Sequence, residues 1–182
     1  MTAAAAGMSA FETRLGSCAI AWRGPLVAAT ALPRADAELA VAGLRRRFAD
    51  APLAAPPAAV STVVDDIVAL LSGEPRRLDE ADLDWSRVGA FERRIYEAAR
   101  LIEPGATLTY GELAAFAGAP GRAREVGAAL GRNPFPLVVP CHRVVAADGR
   151  IGGFSAAGGR ETKRRLLEIE GAAIAAQQPL FR

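Results

Sequence analysis

A change of hydrophobic period near Val88 constrains this chain more than any other feature. Before it, apolar residues come largely in strand-like runs, and after it they recur at helical spacing. Residues 11–22 and 26–32 carry strand-type apolar content and are separated by Arg23-Gly24-Pro25, so they predict a hairpin. Residues 35–48 predict a helix, with Leu39, Leu44 and Phe48 on one side. Arg45, Arg46 and Arg47 stand at its end, where cations suit the helix dipole. Pro52, Pro56 and Pro57 then break the chain. Residues 60–71 predict a second helix, capped by Ser61 or Thr62 and stopped at Ser72-Gly73-Glu74-Pro75. Residues 78–85 predict a return strand. The first half is therefore a small α/β unit with no cluster of catalytic residue types.

From Val88 onward, Phe91, Ile95, Ala98 and Leu101 share one helical face up to the stop at Glu103-Pro104-Gly105. Thr109 and Glu112 have capping-box spacing, and Gly118-Ala119-Pro120-Gly121 turns the chain before a further helix over 122–130. Two short helices joined by a glycine-containing turn fit an ordinary helical hairpin as well as a helix-turn-helix. The expected organisation is α/β in two units, residues 1–87 and 88–182.

With 182 residues, 51% of them hydrophobic, the chain can bury a real core. A net charge of +2 means that any anionic partner must be met by local patches. Two cysteines, Cys18 and Cys141, stand far apart in dissimilar surroundings, which argues against a disulfide and for a reducing compartment. Together with the single histidine, His142, they fall short of the four closely spaced ligands of a closed zinc site. No metal and no cofactor are expected. The first seven residues lack the basic start and apolar core of a signal peptide, and no apolar run is long enough to span a bilayer, so a cytoplasmic location is expected.

The segment that stands out is 133–145. Asn133-Pro134-Phe135-Pro136 leads into an apolar run, read as a strand, that is interrupted by Pro140-Cys141-His142-Arg143. A thiol with an ordinary pKa of about 8.5 is only a few per cent ionised at neutral pH, so a reactive Cys141 needs a base or a positive charge nearby. Alternation along a strand would point His142 away from Cys141, unless the backbone kinks at Pro140 or a water bridges the two. A carboxylate on the other imidazole nitrogen would fix the tautomer, and Glu168 in the C-terminal helix is the expected one.

Pro140-Cys141-His142-Arg143-Val144 resembles the active-site signature of the O6-alkylguanine-DNA alkyltransferases. The resemblance extends through Tyr110-Gly111-Glu112-Leu113-Ala114, Arg124 with Val126-Gly127, Gly131-Arg132-Asn133-Pro134, Gly152-Gly153 and Lys163-Arg164-Arg165-Leu166-Leu167-Glu168, in matching order and spacing from about Val88 to the end. It implies a ribonuclease-H-like N-terminal domain and a mainly helical C-terminal domain with a winged-helix-like helix-turn-helix. It also implies DNA repair by direct reversal: a single-turnover, irreversible transfer of the alkyl group from O6-alkylguanine, or O4-alkylthymine, to Cys141.

On the same resemblance His142 draws the thiol proton through a water, Glu168 holds His142, Tyr110 donates a proton to the leaving guanine, and Asn133 braces the turn. Arg124 acts as the finger that fills the space of a flipped base, and Ala123, Gly127 and Arg143 join it and Tyr110 at the DNA. Val144, Phe154 and Ser155 line the base pocket, with Phe154 standing where many relatives have a tyrosine. Glu125 fits a phosphate-facing helix poorly unless Arg122 pairs with it. The implied partner is double-stranded DNA, met through the minor groove by a monomer. Relatives that carry zinc hold it with Cys and His residues absent here. Rival readings are a protein that recognises alkylated DNA without repairing it, a helix-turn-helix regulator, and a cysteine hydrolase; the first is opposed by Cys141 and the others leave either the Cys-His pair or Arg124 and Asn133 without a role.

Overall fold

The computed structural model describes residues 6–154 and 158–173. The first half opens with an antiparallel meander of β1 (Ala6–Thr13), β2 (Gly16–Arg23) and β3 (Leu26–Arg34). The run expected as one strand over 11–22 is therefore two, joined at Arg14-Leu15. Thr13 closes that turn, donating its hydroxyl to the Gly16 carbonyl (2.7 Å) and accepting from the Leu15 amide (3.2 Å). Gly16 sits at φ +118°, where a Cβ would lie 2.3 Å from the Arg34 carbonyl oxygen, so only glycine fits.

Strand β2 reads as continuously apolar because both faces of the sheet are covered. Its alternate residues enter two different cores. Ala19 and Ala21 join Met8, Ala40, Val41 and Leu44 beneath α1 (Ala37–Arg45). Cys18, Ile20 and Trp22 enter a larger core with Ile67 and Leu70 of α2 (Ala58–Leu71) and with residues of the second half such as Ile95, Tyr96, Val126 and Phe135. The two halves thus share one apolar interior.

Asp36 caps α1 by accepting from the Leu39 amide (2.8 Å), whereas α2 starts after Pro57 and uses neither Ser61 nor Thr62 as its cap. Residues 78–85 form no strand. Arg100 reaches in to donate to the carbonyls of Leu78, Asp79 and Ala81, which draws the segment into a loop, and a single bridge of Leu83 to Val27 remains.

The second half comprises α3 (Ala90–Arg100), β4 (Leu108–Thr109), α4 (Tyr110–Phe116), α5 (Ala123–Gly131), β5 (Val144–Val145) and α6 (Gly159–Ile169), with β4 and β5 paired in parallel. The capping box forms as expected, the Glu112 amide donating to Thr109 Oγ1 (3.2 Å) and the Thr109 amide to Glu112 Oε2 (2.7 Å). Helix α4 ends in a Schellman turn: the Ala119 amide donates to the Ala114 carbonyl (2.8 Å) around Gly118 at φ +68°. Thr30 of β3 donates from both its amide (3.0 Å, to Pro134) and its hydroxyl (2.6 Å, to Pro136), which ties the first-half sheet to the segment preceding Cys141. Among the described residues no helix is long and apolar enough to cross a membrane.

Candidate active site

The strand expected over 137–145 is replaced by two turns and the two-residue β5. Within that run Pro140 carries no amide hydrogen, and Pro134 and Pro136 withhold two more from the turn that leads into it, so the run cannot maintain a ladder. Asn133 supplies what the prolines withhold: its Nδ2 donates to the Val139 carbonyl (2.9 Å) and its Oδ1 accepts from the Phe135 amide (2.9 Å). The loop it closes holds Leu137 at φ +76°, a conformation costing a leucine about 1–2 kcal/mol. Cys141–Arg143 then forms a single 3-10 turn, with the Cys141 amide on the Val139 carbonyl (2.8 Å) and the Arg143 amide on that of Pro140 (2.9 Å). This backbone bend frees His142 from strand alternation.

Glu170, and not Glu168, is the carboxylate behind His142. Its Oε1 lies 2.9 Å from His142 Nε2, and Arg143 donates to both of its oxygens (2.8 and 2.9 Å). Glu168 points outward from α6 and pairs with Arg164 one turn earlier. Arg143 must likewise be reassigned, from the DNA surface to the interior: it is buried, and its remaining donor reaches the Ile102 carbonyl (2.6 Å). Burial alone would raise the Glu170 pKa, but the hydrogen bonds and charges of His142 and Arg143 hold it down at about 2. An ionised carboxylate only accepts, so His142 Nε2 must carry the hydrogen. Burial lowers the His142 pKa despite Glu170, so the ring is neutral and Nδ1 carries the lone pair. Nδ1 is itself buried and has no hydrogen-bond partner among the described residues. A base with a fixed tautomer thus stands next to Cys141 in the chain.

Burial pushes the Cys141 thiol up, while the Asn133 side chain, the Lys163 charge and the amides of Cys141 and His142 pull it down. Lys163 is fully buried, donating to the Val144 carbonyl (2.5 Å) with its ammonium 5.8 Å from the Tyr110 ring centre and 5.9 Å from that of Phe154. Burial lowers its pKa to about 8, which leaves it charged at neutral pH. Tyr110, the first residue of α4, has its phenol pKa raised, chiefly by burial and then by Cys141. Tyr110, Cys141 and Phe154 meet around a cavity of about 390 Å³ that Gly127, Leu130 and Gly153 also line. Gly127 and Gly152 flank the Tyr110 ring, and a Cβ at Gly152 would come within 3.2 Å of it. Val144, expected in the base pocket, is buried and does not line this cavity, and its carbonyl accepts from Lys163; Ser155 lies outside the described residues.

Beside the cavity, α5 presents Ala123, Arg124 and Gly127 in its first turns. Arg124 is exposed and makes no hydrogen bond or ion pair among the described residues. Glu125 is paired with Arg122 (3.3 Å), whose guanidinium also stacks 4.3 Å from the Phe91 ring centre, so the misplaced acid is neutralised locally as expected. Glu170 and Lys163 were not singled out from the sequence. Their signal is the buried stripe of α6, in which 163, 166, 167 and 170 follow helical spacing while 168 falls outside it.

Residues 90–172, which hold all of these groups, match the family described as 6-O-methylguanine DNA methyltransferase, DNA binding domain. The fold and the family match together define a mixed α/β, DNA-binding protein of the methyltransferase class. The chain is 43% identical over 122 residues to the methylated-DNA--protein-cysteine methyltransferase of Methanothermobacter thermautotrophicus, covering 67% of each protein. It is also 43% identical over 126 residues to that of Mycobacterium tuberculosis, covering 69% of this chain and 73% of the relative. It superposes on the crystal structure of M. tuberculosis O6-methylguanine methyltransferase with a TM-score of 0.73 at 33% identity, covering 94% and 96% of the two chains. For M. tuberculosis OGT in complex with DNA the TM-score is 0.72 at 32% identity, covering 91% and 92%. The chain belongs to the methylated-DNA--protein-cysteine methyltransferase family.

Proposed function

We propose that this protein repairs O6-alkylguanine in double-stranded DNA by moving the alkyl group onto Cys141, once per molecule and irreversibly. The observation that carries the reading is the placement of Cys141 in the wall of the Tyr110 cavity, directly before a neutral His142 whose hydrogen is committed to Glu170. The helix pair α4 and α5 acts as a helix-turn-helix within a winged-helix-like domain, residues 88–182, and meets the minor groove with the small residues Ala123 and Gly127. Residues 1–87 form a ribonuclease-H-like domain beneath it. The protein works as a monomer.

The damaged base leaves the stack and enters the Tyr110 cavity, a step that costs a few kcal/mol of unstacking. Arg124 enters the space it vacates, where a planar, weakly hydrated cation stacks well. His142 Nδ1 takes the thiol proton through a water, and the Lys163 charge and the Asn133 side chain stabilise the thiolate. The sulfur electron pair forms the S–C bond as the C–O6 bond breaks. Its electrons return to guanine, which Tyr110 protonates. The product is a thioether with no charge to reverse the step.

The direct test is intact-mass spectrometry with peptide mapping after incubation with an O6-methylguanine duplex. One methyl on Cys141, reached stoichiometrically and then stopping, is expected. Binding without any mass gain would replace this reading with recognition alone. Arg124→Ala is expected to slow transfer from duplex DNA by about tenfold or more while leaving reaction with free O6-benzylguanine unchanged; equal losses on both substrates would remove the finger role. Lys163→Met, which keeps the volume and deletes the charge, is expected to shift the acid limb of the transfer rate up by about one pKa unit. At neutral pH the variant should then react about tenfold more slowly. A pH profile identical to the parent's would show that Lys163 only packs.

A further inference from the structure

A second cavity adjoins Cys141 on the side of the first-half domain. It has a volume of about 300 Å³, with Asn133 and Pro136 on the active-site side and Arg34, Gly43 and Arg46 opposite. Cys141 and Phe154 line both this cavity and the Tyr110 cavity, so the sulfur sits where the two meet. Arg34 ends β3 and Arg46 caps α1, and neither guanidinium has a hydrogen bond or ion pair among the described residues. That is unlike Arg23, Arg132 and Arg143, which are paired with Asp84, Glu92 and Glu170. No acidic side chain is among the described residues that line the cavity. Space is available on the α1 side too, since a Cβ at Gly43 would meet no atom within 4 Å.

We propose that Arg34 and Arg46 hold the anionic end of an alkyl group in this second cavity, so that the protein takes a carboxyalkyl group from guanine faster than the matching neutral group. The proposal rests on the alkyl-transfer reading above and adds a selectivity to it. With the base in the Tyr110 cavity, a chain on O6 must pass the sulfur, and its continuation leads toward Arg34 and Arg46. Two unpaired guanidinium groups in a partly enclosed site suit a carboxylate, which they can hold in forked, charge-assisted hydrogen bonds. The chemistry is unchanged: the sulfur pair bonds to the O6-linked carbon, the C–O6 pair returns to the protonated base, and the carboxyalkyl group remains on Cys141 with its carboxylate intact.

The test uses the full chain and three duplexes, bearing O6-methylguanine, O6-carboxypropylguanine or its neutral counterpart O6-carbamoylpropylguanine, in single-turnover assays. The parent protein is expected to take the carboxypropyl group about tenfold faster than the carbamoylpropyl group, as a charge-assisted hydrogen bond allows. Arg34→Gln with Arg46→Gln should erase that preference and leave methyl transfer unchanged; Arg46→Gln alone, at an exposed helix end, should reduce it. Gly43→Leu should slow both long adducts and spare methyl. Equal rates for the two long adducts with the parent protein, or a uniform loss on all three duplexes in the arginine variants, would overturn the proposal. Failure of the parent protein on O6-methylguanine would instead overturn the underlying transfer reading.

Discussion

Glu170→Ala is expected to destabilise the protein by about 3–5 kcal/mol, the usual cost of removing one partner from a buried ion pair. Arg143 would be left as a buried cation with only the Ile102 carbonyl, and His142 would lose the acceptor that fixes its tautomer. For a chain of this size the midpoint of thermal unfolding should fall by about 10 °C. Glu168→Ala removes only a surface pair with Arg164 and should change stability by less than about 0.5 kcal/mol. Equal effects of the two substitutions would refute the reassignment of the carboxylate. The pH dependence has a definite sign. Because the folded Glu170 pKa of about 2 lies below its ordinary 4.5, its contribution is present above the ordinary carboxylate range and is lost as pH falls from about 4.5 to 2. The lowered His142 pKa acts in the same direction, since the buried ring resists protonation below its ordinary 6.5. Acid titration of stability should therefore be steeper in the parent protein than in Glu170→Ala.

Cys141→Ala is expected to abolish alkyl transfer altogether while DNA affinity stays within about threefold of the parent's, a change below 1 kcal/mol. The sulfur is the acceptor atom, so no neighbouring group can take its place. Its removal from a cavity wall costs little packing. Cys18 supplies the control. It is buried in the larger shared core, on β2, where burial pushes its thiol up to about 12, and Cys18→Ala should transfer at the parent rate. Mass spectrometry on both variants, with equilibrium binding to the damaged duplex, checks the pair. A methyl group on Cys141→Ala at any residue would remove Cys141 from the role of acceptor.

Local patterns were legible in the sequence where local physics decides the structure. The α4 capping box and the glycine turn after it rest on neighbours within one or two turns, and both form as expected; the α3 stripe forms in part, with Ile95 and Ala98 buried and Phe91 half-buried, while Leu101 lies past the helix end and is exposed. Features set by distant partners were not legible. Arg14-Leu15 carries no turn signature, and the first hairpin depends on Gly16 lying against Arg34. Residues 78–85 were read as a strand from their composition, but Arg100 occupies the carbonyls that a neighbouring strand would need. The segment 137–145 looked like a strand because its side chains are apolar, although Pro140 removes one donor from it and Pro134 and Pro136 remove two more from the turn that leads into it. Cys141 and His142 could be picked out because a thiol and the only imidazole in an apolar run need a reason. Arg143 resembled a surface cation until its partner, 27 residues further along the chain, was in view.

The position of Glu170 also bears on the order in which the protein matures as it is synthesised. Cys141, His142 and Arg143 leave the ribosome before α6, yet the imidazole has no fixed tautomer and the guanidinium no carboxylate partner until Glu170 docks against them. Lys163, whose charge pulls the Cys141 thiol pKa down, arrives on the same helix. A nascent chain therefore holds an unactivated thiol until almost all of the described residues have been made, and chemical competence is acquired together with the completed fold.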